Sequence, residues 1–240
     1  MFSQYGTGMW PTVNPLPWNF NMPPGVGAII DPVAVASVFS LRLREIGWPG
    51  SALMDMDFQM SLLDVDDATL SAAVEQWFVD HQQQVCDQLQ QRVQAYAIDT
   101  LSPTAKRAME EALAAYRQSR WLSVVRVLLP EFEAFGRAIA KGHVRQYEAV
   151  KHLKDRLNAT PVIKDDPTES FSLVHFVFDH LFASCHSAED AAALRPFPNR
   201  HAELHGLDSY GTLQGASTLL CVFAYLMRLM DRQKQLGAIV

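Results

Sequence analysis

The chain has 240 residues, 49% of them hydrophobic and 19% charged, with a net charge of −6; this supports a folded core of ordinary size and excludes global disorder. Its three cysteines, Cys86, Cys185 and Cys221, are far apart and make no CxxC, so free thiols in a reducing compartment are expected rather than a disulfide framework. The N-terminus carries neither a basic n-region nor a long apolar run, and the longest apolar stretch, 216–227, falls short of the roughly 18 residues of a spanning helix, so the expectation is a cytoplasmic protein with no membrane partner.

Residues 1–30 differ from the rest. Pro11, Pro15, Pro17, Pro23 and Pro24 forbid a regular helix, and Trp10, Trp18 and Phe20 are interleaved with them. So many aromatics point to an extended arm packed on the body rather than a free tail. Residues 31–101 form a helical region. Asp31-Pro32 opens a helix through Val35, Val38, Phe39, Leu41 and Leu43, which closes before Trp48-Pro49-Gly50. A second helix starts near Asp66 or Asp67 and carries Leu70, Val74, Trp77, Phe78, Val85, Leu89 and Val93, with the glutamine-rich run 82–91 as its polar face.

Residues 102–240 form the third region, opened by Ser102-Pro103 as a helix start. Its clearest segment places Trp121, Val124, Val125, Leu128, Leu129, Phe132, Phe135 and Ile139 on one apolar stripe. Arg126, Pro130, Glu133 and Arg137 share the opposite side. Glu133 and Arg137 are spaced for an i,i+4 ion pair, and Pro130 is expected to kink the helix. A basic helix over about 143–157 follows, then an apolar helix from Pro167 through Phe171, Val174, Phe178, Leu181 and Phe182. Residues 187–193 read as a short helical turn, 199–205 as a short helix stopped by Gly206, and a last helix runs from a Thr212 cap to about Lys234. No run of strands alternates with these, so the fold class is all-α.

Charge is unevenly spread. Residues 1–100 hold 3 Lys+Arg against 11 Asp+Glu, and residues 101–240 hold 17 against 15. Lys141, Arg145, Lys151 and Lys154 belong to a basic stripe that fits either phosphate-backbone contact or a solvated helix face. The last helix carries Leu219, Leu220, Val222, Phe223, Tyr225, Leu226, Leu229 and Met230 on more than one face, so a second partner is expected, either the acidic N-terminal region or another copy of the chain.

The chemistry concentrates in Pro198-Asn199-Arg200-His201-Ala202-Glu203-Leu204-His205-Gly206. Arg200 falls in the first turn of a helix, where its guanidinium and free backbone N–H groups can face an anion. His205 falls at the helix end, and histidine exchanges protons near neutral pH. Five residues separate the two by about 140° on an ideal helix, so spacing alone leaves catalysis and a capping arginine beside a half-buried histidine both open. His175, His180 and Cys185 spiral round a helix rather than gather, a poor zinc pattern. Glu131 and Glu133 diverge, and no phosphate loop, GxSxG or HExxH occurs, so no metal or cofactor is expected.

The segment 198–206, the following "DSYGT" and the long apolar helix after it resemble the arginine, four-to-six residues, histidine signature of the HEPN superfamily of helical ribonucleases and nucleotide-binding domains. Upstream, "LLPEFEAFGR" is similar to an earlier helix of that family at Pro130, Glu133 and Arg137. The resemblance covers about residues 102–240. It implies a HEPN-like helical bundle and metal-independent RNA cleavage by transphosphorylation from the ribose 2′-OH. His205 would act as acid or base, Arg200 would bind the scissile phosphate, and His201 would assist. Asn199, Glu133 and Arg137 would support them; the basic stripe with Lys141, Arg145, Lys151 and Lys154, which rests on the charge pattern and not on the resemblance, would be the RNA contact. The resemblance also implies a homodimer with the site at the interface. The biological setting would be a defence or toxin-type effector with a regulatory or antitoxin partner. The other reading is a non-catalytic HEPN-like module for RNA or nucleotide binding or for dimerisation.

Overall fold

The longest apolar stripe organises the molecule. In the computed structural model, which describes residues 32–49, 53–95, 104–140, 148, 151–152, 155 and 176–235, the stripe lies on one helix with Val124, Val125, Leu128, Leu129, Phe132 and Phe135 buried. The described helices are α1 Pro32–Glu45, α2 Met56–Ser61, α3 Asp67–Asp80, α4 Gln82–Ala95, α5 Ala105–Arg117, α6 Trp121–Ala140, α7 Ala188–Leu194, α8 Arg200–Leu204 and α9 Leu213–Gln235, with a π-helical turn at Phe176–Leu181. No strand occurs among the described residues, so the all-α class holds.

The stripe packs on α5 and α9. Phe223 of α9 sits between Phe132 and Phe135, with ring centroids 5.2 and 5.4 Å away. Fully burying a side chain of this size contributes roughly 1.5–3 kcal/mol. The turn from α5 to α6 is closed by Ser119, at φ 54°, and by the Arg120 N–H, which donates to the Ala115 carbonyl at 3.0 Å. Tyr116 near the end of α5 crosses to α9, where its hydroxyl and Ser217 Oγ are 2.7 Å apart; burial raises the Tyr116 pKa well above the ordinary phenol value.

The acidic N-terminal half shares this core. Val85, Cys86, Leu89 and Val93 of α4 and Leu70, Val74, Trp77 and Phe78 of α3 are buried in the same cluster as α5, α6 and α9, and residues from 31 onward form one compact unit. Helices α3 and α4 both pack on α9. Gln214 Nε2 donates to the Ile46 carbonyl at 2.8 Å, and Thr218 Oγ1 donates to the Gly47 carbonyl at 3.1 Å. Gly47 has φ +79°, and a Cβ there would stand 2.3 Å from Pro196 Cγ, so glycine is required on both counts. Helices α3 and α4 thus cover part of the apolar surface of α9 from within the chain, while Val222 and Tyr225 stay half-buried.

Several elements depart from the expected pattern. The helix expected from 66 onward is two helices: α3 ends at the cap residue His81, whose Nδ1 lies 2.8 Å from the Trp77 carbonyl, and α4 begins at Gln82. The short α2 lies where the sequence pattern points to no helix; Asp55 caps it by accepting the Phe58 N–H at 2.8 Å. Helix α5 starts at Ala105 after Thr104, while Ser102 and Pro103 lie outside the described residues. As the single apolar stripe led one to expect, α6 is one helix that runs through Pro130 to Ala140. The described end of the helix expected from Pro167 is a π-helical turn rather than an α-helix. The arm 1–30 lies outside the described residues, as does most of the basic helix 143–157.

One side chain organises the link between α2 and α3. The Arg42 guanidinium donates to the carbonyls of Leu62 at 3.0 Å, Leu63 at 2.6 Å and Val65 at 2.6 Å, and to Asp67 Oδ1 at 3.0 Å. This uses the planar fork of arginine to satisfy carbonyls that no helix reaches.

Candidate functional site

Helix α8 has only five residues, too few to hold itself by backbone hydrogen bonds. Its entry is set by Asn199, which is fully buried. Asn199 Oδ1 accepts the Ala202 N–H at 3.0 Å as an N-cap, while its Nδ2 donates to the carbonyls of His180 at 2.6 Å and Ala183 at 3.0 Å. One amide therefore ties α8 to the end of the π-helical turn. The His180 ring stacks on Phe197 at 3.7 Å, just before that cap. At the other end Gly206 takes φ +66° and the Leu207 N–H returns to the Ala202 carbonyl at 2.9 Å, the left-handed stop that the glycine suggested.

Arg200 points back to α6. Its Nη2 lies 2.5 Å from Glu133 Oε2, and the Arg200 side chain is 17% exposed. Glu133 is buried, and its other oxygen accepts from Arg137. The expected i,i+4 pair is present, but the polar side of α6 is not solvated at Glu133, because α8 covers it. One buried carboxylate is thus shared by two guanidinium groups, and Arg200 Nε is buried with no hydrogen-bond partner.

Glu203 forms the matching contact in the opposite sense. It is buried; Oε1 accepts from Arg126 Nε at 3.4 Å and Oε2 from the Tyr210 N–H at 3.0 Å. Tyr210 itself is buried, which pushes its phenol up to about 12. The last carboxylate of the loop, Asp208, is held below its ordinary value first by the hydrogen bond from Arg195.

The histidines occupy the remaining side. The rings of His201 and His205 are 6.0 Å apart and nearly parallel, at 14°. His201 is half-buried and His205 exposed. Burial lowers the His201 pKa from its ordinary value, and the charges of Arg200, His205 and His186 lower it further against an opposing contribution from Glu133. The neutral imidazole is the favoured form near pH 7.

Arg200, His201, Asn199, Glu133 and Arg137 therefore come together, with His205 joined to them through His201. Lys151 is exposed in helical backbone, and Lys141, Arg145 and Lys154 lie outside the described residues. No group of His, Cys, Asp or Glu among the described residues has the arrangement of a metal site, and no described helix is long and apolar enough to cross a membrane. Sequence reasoning missed Arg126, Glu203 and His186 as parts of the site. A signal was present: Arg126 and Glu133 lie seven apart on α6, and Arg200 and Glu203 three apart on α8, with complementary charges. Comparison with protein families, curated proteins and solved structures gives no match.

Proposed function

We propose that the chain is a metal-independent RNA endonuclease of HEPN type. The observation that carries this reading is a near-parallel histidine pair, His201 in α8 and His205 at its C-cap, on a helix whose first residue, Arg200, is oriented by a buried carboxylate. Neutral His201 suits a general base that takes the proton of a ribose 2′-OH. The 2′-oxygen then bonds to phosphorus, the bond from phosphorus to the 5′-oxygen breaks, and His205 supplies the proton that the leaving oxygen needs. Arg200 and Arg137 supply positive charge for the phosphate as it gains negative charge. The products are a 2′,3′-cyclic phosphate and a 5′-hydroxyl. The basic stripe with Lys151 would hold the RNA backbone, and two copies would pair with their motifs facing; Leu204, 53% exposed beside His205, lies on the surface such a pairing would cover.

The test is incubation of the purified chain with RNA in EDTA, followed by analysis of the product ends. Cleavage with cyclic phosphate ends is expected, and Arg200→Ala and His205→Ala should abolish it while keeping helicity. Cleavage that requires a divalent metal and leaves 5′-phosphates would refute the mechanism. Solution scattering should show a dimer; a monomer that still cleaves RNA removes the composite site and leaves the chemistry.

A second reading, a non-catalytic HEPN-like binding or dimerisation module, is favoured by one observation. Arg200 is already paired with Glu133 and largely buried, as a structural arginine would be. RNA binding without cleavage, together with unfolding of Arg200→Ala, is its expected signature.

A further inference from the structure

Apolar burial does little to orient α8. Ala202 is its one buried apolar side chain, and Leu204 faces solvent. Directional polar contacts set its orientation instead. Arg126 precedes Glu133 on α6, yet it meets Glu203, which follows Arg200 on α8. The two pairs therefore lock the helices antiparallel, with an acid and a base exchanged between them. Apolar contact is non-directional and allows a short helix to roll. Two crossed ion pairs to buried carboxylates, plus the Tyr210 N–H on Glu203, oppose that roll and close the loop that follows His205.

We infer that Arg126 and Glu203 are positioning residues that set the orientation of the His201–His205 pair. This rests on reading that pair as the reacting part of the site. Both act through α8 rather than on a substrate.

The experiment follows the His201 ring by NMR through a pH titration of the full chain and measures RNA cleavage alongside. The variants are Glu203→Gln, Arg126→Ala and Arg126→Lys. Glutamine keeps an acceptor for the Tyr210 N–H but loses the charge. Removing a carboxylate lowers a nearby histidine pKa by direct electrostatics, whereas releasing α8 exposes His201 and raises it. A rise in Glu203→Gln is the expected result, and the opposite signs separate repositioning from charge loss. Arg126 is 66% exposed and its loss leaves the Tyr210 N–H on Glu203, so Arg126→Ala is the milder of the two changes. In it the Tyr210 amide should exchange on the order of tenfold faster, and Arg126→Lys should recover part of the protection. Cleavage should fall in kcat on the order of tenfold to a hundredfold with KM little changed. An unchanged His201 titration and unchanged Tyr210 exchange in the folded variants would overturn the inference. If wild-type protein leaves RNA intact while His201 and Tyr210 respond as described, the nuclease reading falls and the positioning role stands.

Discussion

Helix α6 meets two neighbours by opposite means. Toward α9 it presents Phe132 and Phe135 to Phe223, in a contact made of apolar area. Toward α8 it presents Arg126 and Glu133 to Glu203 and Arg200, in a contact made of charge. Apolar area tolerates small displacements and sets how tightly the elements adhere. Charge paired at hydrogen-bond distance is directional and sets where a side chain points. The molecule uses the first for its body and the second for the five residues that carry Arg200 and His201.

Breaking the apolar contact should cost the most. Phe223→Ala is expected to destabilise the fold by about 3–5 kcal/mol, read from urea unfolding; a cost near zero would mean that the aromatic cluster is not the centre of the body. Glu133→Ala should come next, at about 2–3 kcal/mol, because it strands Arg200 without its carboxylate. That is below the range for fully buried pairs, since the Arg200 guanidinium keeps some access to water. Asn199→Ala removes a cap and two donors and should cost about 1–2 kcal/mol; unchanged stability would show that α8 does not need its entry fixed.

A smaller effect concerns pH. The folded-state pKa of His201 is depressed below its ordinary value of 6.5, so the unfolded chain takes up the proton first. The associated stability is present above about pH 6.5 and is lost as pH falls through the lower folded value. The urea midpoint should therefore drop between about pH 7.5 and 5.5, and His201→Gln should flatten part of that drop. An equal drop in both proteins would place the acid sensitivity elsewhere. The smallest effect sharpens the contrast: Arg107 and Glu111 form an exposed i,i+4 pair, and Arg107→Ala should leave the midpoint unchanged within error. A measurable loss there would mean that charge stabilises without burial.

The same contrast explains what could be read from sequence. The α6 stripe was legible because burial against the body imposes a helical period on apolar residues. The caps at Asp66 and Asn199 and the stop at Gly206 were legible because local backbone chemistry demands those residue types. The break at His81 was not, since neither glycine nor proline marks it and the apolar period continues from Phe78 to Val85. The π-helical turn at Phe176–Leu181 changes the backbone bonding without changing composition. Within the candidate site, Arg200, His201 and His205 stood out by residue type. The burial of Glu133 and Glu203 did not, because both sit on faces that look polar until another helix covers them.

The Arg42 fork bears on how this chain tolerates changes in length. Surface links usually accept inserted residues at little cost. The link between α2 and α3 is different, because the carbonyls of Leu62, Leu63 and Val65 draw on a donor some twenty residues upstream. The spacing of those oxygens must match the width of one guanidinium. An extra residue between 62 and 65 would put at least one carbonyl out of register with it, so this stretch of loop should resist insertion as firmly as the middle of a helix does.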